Sequence, residues 1–129
     1  MSRWHSLQTG YVALLAVLVV GAASLAICTT LLLTATDSQR STLTSQESAQ
    51  ARTLAAACGE EGLQKIYEST SYTGTTAVAI GCSFTVTNTG GNNRTVVGSA
   101  TVGTSTRRVT INATIGATNI TVSSWLDSQ

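Results

Sequence analysis

No proline occurs anywhere in the 129 residues, so the chain lacks the residue that most firmly stops a helix or stiffens a linker. Charge is scarce as well. Asp, Glu, Lys and Arg make up 10% of the chain and leave a formal +1, too little for the basic field that grips nucleic-acid phosphates, so nucleic acid is disfavoured as the principal partner. The one histidine, His5, stands near the start and leaves the remainder without an imidazole for general-base work or metal binding. The Ser-His and Cys-His schemes of nucleophilic catalysis fall with it. No glycine-rich phosphate loop followed by lysine is present. Glu60 and Glu61 are adjacent on a helical stretch, so their carboxylates point about 100° apart and do not converge on one substrate atom. The expectation is a non-enzymatic protein with no cofactor and no metal.

What is abundant divides the chain in two. Leu and Ala dominate the first half, and Thr, Val, Gly, Asn and Ser the second, a change from helix formers to strand and turn formers. Between Trp4 and Thr36 there is no charged residue, and Tyr11 to Leu33 is nearly all apolar, with Ser24, Cys28, Thr29 and Thr30 as mild exceptions. As a helix that stretch is roughly 35 Å long, enough to cross a hydrocarbon core of roughly 30 Å once. Arg3 precedes it and Asp37 follows, which keeps the short N-terminal segment in the cytoplasm and sends the rest outward. Three readings compete for such a segment. It is a secretory signal cut near Ser24-Leu25-Ala26, an uncleaved single-pass anchor, or a helix retained after a short leader is removed. The apolar run continues past the first of these cut sites to Leu33, longer than an ordinary signal core.

The junction favours the third reading. A polar leader ends at Gly10 and Tyr11 opens the apolar run without a spacer. This resembles the leader of type IV pilins and pseudopilins. The stretch Gly10-Tyr11-Val12-Ala13-Leu14-Leu15 is similar to the GxxLL start of PilX-type minor pilins, and Ala55 to Leu63 resembles their Ala-rich segment ending in paired Glu. The resemblance implies cleavage after Gly10 by a prepilin peptidase and methylation of the new terminal amine of Tyr11. It also implies storage among membrane lipid, then assembly with other pilin subunits by an inner-membrane platform into a cell-surface filament. One residue departs from the pattern. The fifth mature position, commonly Glu in major pilins, is Leu15, which cannot pair with a neighbouring subunit's amine. That departure points to a minor subunit that starts or tips a filament. The rival function is an uncleaved, membrane-anchored β-domain acting as an adhesin or binding module.

Beyond the membrane segment, Ala51, Leu54, Ala55, Cys58, Gly62 and Ile66 fall on one helical face, a narrow stripe of mostly small residues. Glu61 and Lys65 are spaced for a surface ion pair. Ser41-Thr42, two mediocre helix formers, is the weak point of continuity with the preceding segment. Val78, Ile80, Cys82, Phe84 and Val86 then alternate with small or polar residues as one strand. A turn at residues 88–93 follows, then runs centred on Val96 to Val102, Val109 to Ile115, and Ile120 and Val122. The fold class expected is α+β: a long N-terminal helix, half transmembrane and half amphipathic, packed on an antiparallel sheet of three to four strands. The expected segments are a leader (1–10), a transmembrane or filament-core helix (11–36), an amphipathic helix (37–69) and a β-meander (70–129).

Cys58 on the stripe and Cys82 on the apolar strand face point into one interface, where they pair in an oxidising exterior or remain as two core thiols. Cys28 has no partner by this reading. Arg107 and Arg108 open the third strand run as a solvated end, or as a contact for an acidic surface or DNA at a filament tip. Three Asn-X-Thr triplets, at Asn93, Asn112 and Asn119, read as strand and turn chemistry.

Overall fold

The computed structural model describes the backbone of residues 2–79 and 81–129, and the side chains of these residues apart from 2–8 and 79. Arg3 and His5, with most of the expected leader, therefore have side chains outside the described set. Elements run in the order α1 (Ser2–Glu68), β1 (Gly74–Ala79), β2 (Cys82–Gly90), β3 (Asn93–Val102), β4 (Ser105–Ile115) and β5 (Ile120–Ser128). The chain divides into two compact units, Met1–Ser41 and Thr42–Gln129. No break in α1 is assigned at Ser41-Thr42.

The first unit is helix alone. Its Leu, Val and Ala content favours helix, and from Thr9 onward every one of its described side chains is exposed. In the second unit the remainder of α1 packs on a five-stranded antiparallel sheet of order β1-β2-β3-β4-β5, the α+β arrangement expected from the residue pattern. Every connection is a hairpin, so sequence neighbours are also spatial neighbours. Phe84 and Val86 of β2, Val96 and Ala100 of β3, and Val109, Ile111 and Ile115 of β4 turn one face of the sheet toward Ala55 and Ile66 of α1.

Small residues set the depth of this packing. A Cβ added at Gly98 on β3 would collide with the Ala55 carbonyl oxygen and lie 2.7 Å from the Gly59 nitrogen. Here helix backbone rests directly on strand backbone, and glycine alone permits it. Gly62 is filled from the sheet side in the same way, with Val96 Cγ1 2.5 Å and Phe84 Cδ2 3.1 Å from the Cβ it lacks. Ala51, Ala55, Cys58 and Ile66 are buried as the stripe requires, Gly59 joins them, and Leu54 is only half-buried.

Two local expectations change. The sheet has five strands rather than three or four, because the alternating run Val78 to Val86 is two strands and not one. Gly81 adopts φ +77° and its carbonyl accepts from the Thr101 amide at 2.8 Å, so the chain reverses there. Thr75 then pairs with Thr85 and Ala77 with Ser83. Alternation persists on both sides of the turn and conceals it. Val78 is consequently 45% exposed, and Ile80, expected on the apolar face, lies outside the described residues. The other change is the ion pair: Lys65 bonds Glu68 at 3.2 Å, three residues on, in place of Glu61.

Candidate membrane and assembly helix

Among the described residues, α1 is the one helix long and apolar enough to cross a membrane. Tyr11, Val12, Leu14, Leu18, Leu25, Leu31 and Leu33 present their side chains outward around its whole circumference. Apolar side chains exposed on all sides of a helix are compatible with an apolar surrounding, which makes this segment a candidate membrane span. Its hydroxyls fit the same surrounding. Ser24 donates to the Val20 carbonyl at 2.8 Å, Thr29 to Ala26 at 2.9 Å, Thr30 to Ile27 at 2.8 Å and Thr34 to Thr30 at 2.7 Å. Each polar side chain thus returns to its own helix and needs no water.

Gly10 and Tyr11 stand within α1, and so does Leu15, which is 43% exposed. A Cβ at Gly10 would meet nothing within 4 Å, and its φ is ordinary, so neither packing nor backbone conformation requires glycine there. Glycine inside a helix nevertheless costs about 1 kcal/mol relative to alanine. Gly21 is equally uncrowded. Cys28 is a free, exposed thiol in the same segment.

In the second unit, Cys58 of α1 and Cys82 of β2 form a disulfide across the helix–sheet interface, with a Cα–Cα distance of 6.3 Å. Both residues are almost wholly buried. Polar contacts pin the sheet's other margins to the helix. Glu47 accepts from the Thr104 amide and hydroxyl, both at 3.2 Å, in the β3–β4 turn. Arg107 donates from Nε to Ser48 Oγ at 3.0 Å, so it serves as a tether rather than an exposed strand end, while Arg108 is exposed. Arg52 meets Asp127 at 2.5 Å.

Arg94 carries no signal in the sequence beyond its place in an Asn-X-Thr triplet. It is 8% exposed and donates to the carbonyls of Gly91 (2.9 Å), Asn93 (3.0 Å) and Thr70 (3.0 Å). The guanidinium fork therefore joins the β2–β3 turn to the segment leaving α1. Trp125 was equally unmarked: it is the one tryptophan of the β-region and is 43% exposed on β5. Of the three Asn-X-Thr triplets, Asn112 has both amide groups engaged, accepting from Thr95 and donating to Ser124, each at 2.8 Å, which agrees with a strand role. Comparison of this chain with protein-family models, with curated proteins and with solved structures gives no match.

Proposed function

We propose that the chain is a non-catalytic structural subunit, a minor one, of a type IV pilus or related filament, assembled through its apolar N-terminal helix. The observation that carries this reading is the helix itself. Its exposed apolar residues run from Tyr11 to Leu33, its hydroxyls are internally bonded, and it continues into a helix that carries a disulfide-braced sheet. Such a helix serves first as a membrane anchor with the C-terminal unit outside, and then as a strut among copies of itself. Gly10 adds support. A glycine that costs helix stability and answers no packing demand fits a recognition role, here for a prepilin peptidase that releases Tyr11. Leu15 in place of a carboxylate favours a tip or initiating position, since it supplies no counter-charge for a neighbour's buried amine. The assembly platform and other pilins are the implied partners, and membrane lipid is the solvent of the stored subunit.

The test is the intact mass and N-terminal residue of the protein taken from its own membranes. A chain beginning at methylated Tyr11 supports pilin processing. A chain retaining residues 1–10 favours the plain anchored β-domain, a reading to which Leu15 also lends itself. A chain starting near Ile27 would mean a secreted domain and refute both.

A further inference from the structure

Three Asn-X-Thr triplets occur in the second unit, and the fold puts them to different uses. Two of them face each other. Asn93-Arg94-Thr95 opens β3 and Asn112-Ala113-Thr114 lies on β4, with Asn93 opposite Thr114 and Thr95 opposite Asn112. Their polar groups are spent on one another: Thr95 Oγ1 donates to Asn112 Oδ1 at 2.8 Å, and Thr114 Oγ1 donates to Asn93 Oδ1 at 2.9 Å. The middle residues, Arg94 and Ala113, are buried. These two triplets form a cross-strand clasp, and sheet pairing accounts for them in full.

Asn119-Ile120-Thr121 is placed otherwise. It runs from the β4–β5 turn into the first residues of β5, and both Asn119 and Thr121 are exposed. Among the described residues, neither the Asn119 carboxamide nor the Thr121 hydroxyl makes a side-chain hydrogen bond. The turn nevertheless fixes where the carboxamide stands. Gly116 donates its amide to the Asn119 carbonyl at 2.7 Å, and Asn119 Oδ1 fills the space that a Cβ on Gly116 would need. An exposed turn, an unspent carboxamide and an unspent hydroxyl two residues on are what a glycosyl acceptor of this pattern offers. Beside it lies a recess of about 300 Å³ that Tyr67 and Asn119 both line. Tyr67 is 71% exposed, so its ring offers an apolar face, with a hydroxyl at its tip, to a sugar attached there.

We infer that Asn119 is an N-glycosylation site, taking a sugar from a lipid-linked glycosyl diphosphate through a membrane transferase. The carboxamide nitrogen attacks the anomeric carbon. The new N–C bond replaces the C–O bond to the diphosphate, which leaves with the electron pair, and the carboxamide gives one proton to a base of the transferase. No oxidant or reductant is involved. The attached glycan covers the exposed Tyr67 beside the turn and makes that end of the sheet more soluble. This site rests on the outward placement of the second unit given under the proposed function, since the acceptor pattern is used on exported chains.

The experiment is intact mass and peptide mapping of the full chain purified from its own membranes. The expected wild-type chain is heavier than its polypeptide by at least one hexose, and the mapped attachment is Asn119. Asn119→Gln and Thr121→Val should each remove all of the added mass, whereas Thr121→Ser should retain it. Both positions are exposed, so the unfolding temperature of the sugar-free variants should stay within a few degrees of one another. A wild-type chain of bare polypeptide mass would overturn the inference, as would added mass that survives Asn119→Gln or maps to Asn93 or Asn112. Protease added to intact spheroplasts separates the two readings. If it removes the second unit and that unit carries no sugar, this site alone fails; if the unit is protected, the outward placement fails with it.

Discussion

Reducing the Cys58–Cys82 disulfide should cost the second unit most of its stability margin. The bridge spans a sequence separation of 24 residues. Loop-closure entropy for a loop of that size is about 12 cal/mol/K, or about 3.5 kcal/mol at 25 °C. A unit of about 90 residues has an unfolding entropy of about 190 cal/mol/K, so the loss should lower the midpoint by about 18 °C. Reduction is a cleaner perturbation than mutation, because both sulfur atoms stay in the core and no cavity term is added. The assay is thermal unfolding of the full chain in detergent micelles, with and without reductant, followed by Trp125 fluorescence in a Trp4→Phe background. Alkylation under denaturing conditions should count one thiol, Cys28, in the oxidised protein and three after reduction. A midpoint that falls by less than about 5 °C, with three thiols labelled, would refute the reasoning, since that is only about 1 kcal/mol. The unfolded chain would then already hold Cys58 near Cys82, leaving little closure entropy to lose.

Gly98→Ala should destabilise by about 3 kcal/mol or more, because its Cβ meets helix backbone that cannot step aside, far outweighing the roughly 0.5–1 kcal/mol that alanine gains over glycine in a strand. Denaturant midpoints measure it. Arg94→Met should lose about 2–4 kcal/mol by stranding three backbone carbonyls, and Arg94→Lys should recover only part of this, as an ammonium cannot reproduce the fork. Asp127→Asn should move the midpoint by no more than about 1 kcal/mol equivalent, because Arg52 is 68% exposed and surface pairs are weak. Gly10→Val should leave the second unit's unfolding unaltered but abolish release of Tyr11, read by intact mass; processing at the wild-type rate would show that Gly10 is not a recognition residue.

Several features were legible before any coordinates because they depend on local pattern. An uncharged run of membrane length predicts a candidate membrane span, and Tyr11 to Leu33 lies in the helix that is long and apolar enough to cross one. The 100° periodicity of Ala51, Ala55, Cys58 and Ile66, and the two-residue periodicity of Val96 to Ala100 and Val109 to Ile115, likewise declare their faces, and the faces found buried are these. Cys58 and Cys82 each sit on an apolar face by periodicity, and the two faces meet.

What stayed hidden depends on neighbours distant in sequence. A two-residue alternation does not show where a strand folds back, so the reversal at Gly81 emerges only from its positive φ and its bond to Thr101. Nothing local separates Gly98, which admits the helix backbone, from Gly90 or Gly91, which merely turn a hairpin in open space. Arg94 gives no local sign of burial until Thr70, in the short segment between α1 and β1, supplies a distant acceptor. Trp125 becomes an edge feature only once β5 is known to end the sheet. Residue order sets the periodicities and with them the faces that turn from water. The tertiary structure alone decided which of those surfaces meet, because steric fit and hydrogen-bond completion are settled between residues that the chain order keeps apart.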